Sequence, residues 1–204
     1  MSDKIKDFWN WFEENNYAFL FTSEVEDDIK EKMLDDFINE LHKYNDRLFF
    51  QVGGMPGNDQ ELIITAEGDS KQFESVLQLI EQAPPIKNWI FIPFIQPSDE
   101  DNTIQYGNTQ ITRSDLWFIP LQSQSHPNDI GIRIGVADYG SLDKKDTDNA
   151  VFKMLDTALG EKSFSLDIDY IDIAELPQEL EENGWINLME LRAFIEWKKK
   201  KLGR

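Results

Sequence analysis

The chain has no cysteine among its 204 residues. Disulfides, thiolate metal sites and cysteine nucleophiles are therefore excluded, and a reducing compartment suits the composition. It also has no long apolar run. The longest stretches, Ala18 to Phe21 and Trp89 to Ile95, fall far short of the ~20 residues that cross a bilayer as a helix. Met1 to Asp7 carry charges where an export signal needs a basic start and an apolar stretch. The expectation is a cytoplasmic protein with no membrane attachment. Cations are scarce too, at 20 Lys and Arg against 39 Asp and Glu, a formal charge of −19. A phosphate backbone would be repelled across most of such a surface, so nucleic acid is not the expected ligand.

The hydrophobic share is 40% and the aromatic share 12%, ample for a core in a chain of this length. Five cations fall within the last seven residues, Lys198 to Lys201 and Arg204, which leaves −24 on the rest. Cations at a helix end are favoured where its carbonyl dipoles point.

Ile5, Phe8, Trp9 and Phe12 recur at i, i+3, i+4 and i+7, the stripe of a first helix that Asn15-Asn16 would end. Ser23 with Glu26 reads as the capping box of a second, whose buried stripe is Leu34, Phe37, Ile38 and Leu41 and whose solvated face is Asp27, Asp28, Glu31, Asp35 and Asp36. Leu48 to Val52 and Leu62 to Ala66 read as a hairpin. Asp69-Ser70 caps a third helix through Phe73, Val76, Leu77 and Ile80, stopped by Pro84-Pro85. Trp89 to Ile95, apolar on both faces, reads as a central covered strand.

Thr103 to Thr112 reads as a hairpin about Gly107-Asn108. Leu116 to Leu121 and Ile130 to Val136 read as strands, the latter with Gly131, Arg133 and Gly135 on a second face that is exposed or closely approached. Val151, Met154, Leu155, Ala158 and Leu159 mark a fourth long helix, capped by Asp146 or Thr147 and ended by Gly160. Phe164 to Ile173 reads as a last strand, and Asn187 with Glu190 opens a terminal helix, 187 to 201, through Leu188, Leu191 and Ile195. The whole is an α+β chain, a single domain from 1 to 204 with a helical segment over 1 to 45. A mainly antiparallel mixed sheet of about six to eight strands is expected, with helices packed chiefly on one face.

Residues that could carry chemistry are few. His42 and His126 have no companion at ligand spacing. The Gly53 to Gly57 stretch lacks the Gly-Lys-Ser/Thr ending of a phosphate loop and reads as a turn. Asp143, Asp146 and Asp148 resemble an oxygen-rich cation loop without its glycine and closing glutamate, so capping and solvation are the plainer account. In Asp167 to Asp172, strand geometry would put Asp167 and Asp169 on one face with Asp172 opposite, a pair able to hold a hard cation, although one solvated strand face gives the same pattern. No cofactor is expected. Of the six tryptophans, Trp11 lies off the first helix's stripe and would be exposed unless another chain, a second copy included, covers it.

Through Glu61-Leu62-Ile63-Ile64-Thr65-Ala66-Glu67-Gly68-Asp69, then Ala83-Pro84-Pro85 and Trp89-Ile90-Phe91-Ile92-Pro93-Phe94, the sequence resembles a bacterial family of uncharacterised α+β proteins, over roughly residues 45 to 200. The resemblance implies bacterial origin and intracellular residence and supplies no catalytic residues. The leading expectation is a non-enzymatic, acidic interaction protein, immunity-like or regulatory, that binds a basic protein partner. The alternatives are a metal-dependent hydrolase using Asp167 and Asp169, and a carbohydrate-binding module suggested by the tryptophans.

Overall fold

The computed structural model describes residues 3–20, 26–54, 58–180 and 182–204. It divides into two compact units, Met1–Ile95 and Gln96–Arg204, each with its own apolar cluster.

In the first unit the stripe Ile5, Phe8, Trp9 and Phe12 is buried along helix α1, Asp3–Phe19. Asn15-Asn16 does not end this helix. The Asn16 amide donates to the Glu13 carbonyl at 2.6 Å and its oxygen accepts from the Trp89 indole at 3.3 Å. With both polar groups satisfied in the interior, Asn16 extends the buried stripe to Phe19 against its weak helix propensity. Helix α2 runs Asp27–Tyr44 and buries Phe37 and Leu41, with Leu34 and Ile38 half-buried beside them. The Ser23 half of the expected capping box lies outside the described residues; Glu26 holds the cap position without a side-chain bond.

Strands β1, Phe49–Gly53, and β2, Gln60–Thr65, form the expected antiparallel hairpin. Asp69 accepts from the Lys71 amide at the head of a 3-10 turn that leads into α3, Phe73–Glu81. This helix is the crossover that parallel pairing requires, and it delivers β3, Trp89–Pro93, parallel to β2. The order is β1-β2-β3, so β3 is an edge strand and the central position belongs to β2. The both-sided apolarity of β3 has another cause. Trp89 and Phe91 meet the rings of Phe12 and Trp9 on α1, while Ile90 is exposed.

In the second unit β4, Thr103–Tyr106, and β5, Thr109–Thr112, form a hairpin about Gly107-Asn108. A four-stranded sheet holds β6, Trp117–Leu121, β7, Gly131–Val136, β8, Tyr170–Glu175, and β9, Ile186–Asn187, in the order β8-β7-β6-β9. Its β7–β8 pair is parallel, bridged by α4, Lys144–Leu159, and α5, Glu161–Asp167. The terminal helix α6 spans Leu191–Leu202, with Leu188, Leu191 and Ile195 buried.

One sheet of six to eight strands is thus replaced by three, of three, two and four strands. The β4–β5 hairpin packs on α4 instead of extending a sheet: the Asn108 amide donates to Asp146 at 3.3 Å and the hydroxyls of Thr109 and Thr147 meet at 3.4 Å. Asp146 and Thr147 are therefore engaged elsewhere, and Asp143 caps α4 by accepting from the Asp146 amide. The expected strand over 164–173 also divides. Gly160, at φ +75°, ends α4, and the chain re-enters a helix through Asp167 before β8 begins at Tyr170 opposite Gly131. Ile130, just before β7, and Ile132, Ile134 and Val136 on it are buried in the core as expected. The opposite face is closely approached at Gly135, where a Cβ would overlap Leu176 and Trp185.

Candidate functional site

The acidic residues that suggested a cation site are occupied by the protein's own cations and amides. Asp167 ends α5 and accepts from the Ser163 hydroxyl and the Lys199 ammonium, both at 2.7 Å. Asp169 lies just before β8, accepts from the Ile130 amide at 2.7 Å and faces the Arg204 guanidinium at 3.2 Å. Asp172 pairs with Arg133 at 2.6 Å. The shared strand face expected for Asp167 and Asp169 is absent because Asp167 belongs to α5 and β8 begins only at Tyr170. Asp148 accepts from the Tyr139 hydroxyl at 2.6 Å and lies 3.4 Å from Lys144. Burial, and the hydrogen bond that its hydroxyl donates to the Asp148 carboxylate, raise the Tyr139 phenol above its ordinary range. Among the described residues no group of three histidines or carboxylates is placed to hold a metal ion.

These pairs also reassign the basic terminus. Lys199 and Arg204 fold back onto Asp167 and Asp169, so the cluster does more than end a helix. The Asp167 side chain is only 11% exposed, and a carboxylate held that way depends on its cation. Lys199→Met is expected to destabilise the second unit by about 1–2 kcal/mol, between the values for exposed and buried pairs. Adding Asp167→Asn should recover part of the loss, and denaturant melts of the two single variants and the double variant measure it.

The two histidines serve local structure in separate units. His42, at the end of α2, lies 3.1 Å from the Leu48 carbonyl. His126, on the loop between β6 and β7, lies 3.0 Å from the Ser125 hydroxyl. It borders a cleft of about 450 Å³ with Asp129, Asp169 and Tyr170.

Trp11 is covered by its own unit. Its ring lies 6.4 Å from Phe8, 6.2 Å from Phe19 and 5.7 Å from Phe37, leaving it half-buried between α1 and α2. No second chain is needed for that cover. The indole also lines a groove of about 290 Å³ with Asn15, Met33, Asp36, Asn39 and Glu40. The side chain of Glu40 is 14% exposed and meets Lys43, which is 70% exposed.

From the groove's Asp36 toward its N-terminus α2 also presents Asp27, Asp28, Glu31 and Asp35, and all five are exposed. Among the described residues none of the five forms an ion pair, and neither do Lys30 and Lys32 on the same helix. Asp27 and Asp28 lie in the first turn, where the helix dipole favours them. That account does not reach Glu31, Asp35 and Asp36. Like charges at i, i+4, as in Asp27, Glu31 and Asp35, cost a helix about 0.2–0.5 kcal/mol per pair.

No family model, curated protein or solved structure matches the chain.

No helix among the described residues is long and apolar enough to cross a membrane. Two features escaped the sequence reading. Trp197, off the Leu188, Leu191 and Ile195 stripe, is the exposed tryptophan, at 55%, beside Phe194 and under the Lys201 ammonium. Its offset from the stripe was the available signal. Arg113 is 1% exposed and donates to the carbonyls of Ser98, Glu100 and Met189; nothing in its sequence neighbourhood announces burial.

Proposed function

We propose that this chain is a non-enzymatic interaction protein whose acidic α2 face binds a basic protein partner. The observation that carries the reading is the row of five exposed carboxylates on α2 with no cation partner among the described residues. Spread over about 14 Å of helix, they exceed the screening length of about 8 Å at physiological ionic strength, so each part of a cationic surface is held by the carboxylates nearest to it. Like charges so arranged cost the helix stability and complement a cationic surface. The carboxylates that a metal-dependent hydrolase would use, Asp167 and Asp169, are engaged by Lys199 and Arg204. In this reading the chain is an immunity-like or regulatory protein of a bacterial cytoplasm. The test compares wild type with a variant carrying Asn or Gln at all five positions, each used to capture proteins from a host lysate. A basic protein should be retained by wild type, released as salt rises, and absent from the variant's eluate. Identical capture by both would remove the α2 face from the account.

A further inference from the structure

The groove beside Trp11 has the dimensions and chemistry of a receptor for one side chain. We infer that it seats an arginine of the basic partner, with the guanidinium against the Trp11 indole and on the carboxylates of Asp36 and Glu40. The inference rests on the acidic-surface reading and gives that surface its point of recognition.

A volume of about 290 Å³ lies just below the range of sites for drug-sized ligands and suits a single long side chain. An indole from α1 and two carboxylates from α2 lining one groove select a cation. Among cations they select the planar, weakly hydrated guanidinium, which stacks on an aromatic ring and presents a fork to a carboxylate; a lysine ammonium is a compact, strongly hydrated point charge. Met33, on α2, adds a polarizable lining to the same groove.

Glu40 and Lys43 show how the site is kept when empty. The carboxylate is largely withdrawn into the wall, while the ammonium that meets it reaches in from solvent. A pair with one exposed partner contributes at most about 1 kcal/mol. An arginine that contacts the indole as well as Glu40 therefore displaces Lys43, which acts as a competing occupant from the chain itself.

The test titrates the full isotope-labelled chain at low salt with two capped peptides of equal charge, hexa-arginine and hexa-lysine. The Trp11 indole resonance is followed after assignment through Trp11→Phe. The arginine peptide should move that resonance to saturation and bind about two- to five-fold more tightly than the lysine peptide, the factor an exposed cation–π contact supplies. Lys43→Met, at a surface position, should tighten the arginine peptide. Glu40→Gln should abolish the preference, and Asp27→Asn with Asp28→Asn, outside the groove, should weaken both peptides alike. Equal affinities with an unmoved Trp11 resonance would overturn the arginine site and leave the acidic surface standing. Failure of both peptides to bind would overturn the surface reading and the site with it.

Discussion

Phe37→Ala is expected to cost the first unit about 3–5 kcal/mol, the range for deleting a large buried aromatic side chain. Phe37 is 0% exposed and is the side chain on which α1, α2 and β1 converge. Its ring meets Phe8 at 5.7 Å, Trp11 at 5.7 Å, Phe12 at 5.9 Å, Phe19 at 5.4 Å and Phe50 at 3.8 Å. Four of these contacts are edge-to-face, the arrangement the ring quadrupole favours. Removal therefore loses several specific contacts together with the transferred apolar area, and a rigid aromatic surround collapses poorly into the space left. Phe37→Leu retains most of the volume but none of the ring contacts and should cost less than the alanine variant. Because the chain has two compact units, a single melt midpoint mixes two events. Amide hydrogen exchange resolved over α1, α2 and β1 is the proper readout, and an alanine variant with wild-type protection there would show that the ring cluster does not hold the unit.

Arg113→Met should cost the second unit about 3 kcal/mol. The guanidinium donates at 2.6 Å to the Ser98 carbonyl and at 3.4 Å to those of Glu100 and Met189. It thereby ties the segment before β4 to the turn that opens α6. Among the described residues no carboxylate bonds it directly. Burial lowers its affinity for the proton and nearby Arg192 adds to that, while Asp99 and Asp101 oppose them. Two effects compete on substitution. Losing a buried charge relieves desolvation, whereas three carbonyls lose a charged donor, each such bond being worth about 1.5–3 kcal/mol when well formed. With one short bond and two long ones, the lost bonds outweigh the relief. Arg113→Lys keeps the charge without the fork and should fall between wild type and methionine. A methionine variant as stable as wild type in denaturant would show that desolvation dominates instead.

The elements legible in the sequence are those fixed by local periodicity. The Ile5, Phe8, Trp9, Phe12 stripe and that of α4 are buried as their spacing demands. Both hairpins lie where alternation meets a glycine-bearing turn. What was not legible depends on partners distant in the chain. Whether Trp89 to Pro93 is central or at an edge is decided by the rings of α1. Asn16 stays helical because Trp89, 73 residues away, donates to it. Residues 164–167 are helical although Phe164 to Ile173 alternates in part, because β7 fixes where β8 can begin.

The candidate site divides the same way. Trp11 was visible as a residue off its helix face, but its cover comes from the packing of α2, which no single-helix pattern contains. In sequence, spacing predicts the acidic face of α2, and solvation accounts for it. Only side-chain placement shows that, among the described residues, Lys30 and Lys32 form no ion pair with those carboxylates. The Asp167 and Asp169 pair shows the reverse. It looked like chemistry in sequence and is held by Lys199 and Arg204 in the fold.

The acidic α2 face is tested most directly by mapping backbone amide shifts of the labelled chain while a basic protein captured from the host is added. The account predicts that the largest changes fall on Asp27 to Glu40 and the facing turns of α1, and that they fade as salt is raised. Changes concentrated on the second unit, or spread evenly over both, would contradict it.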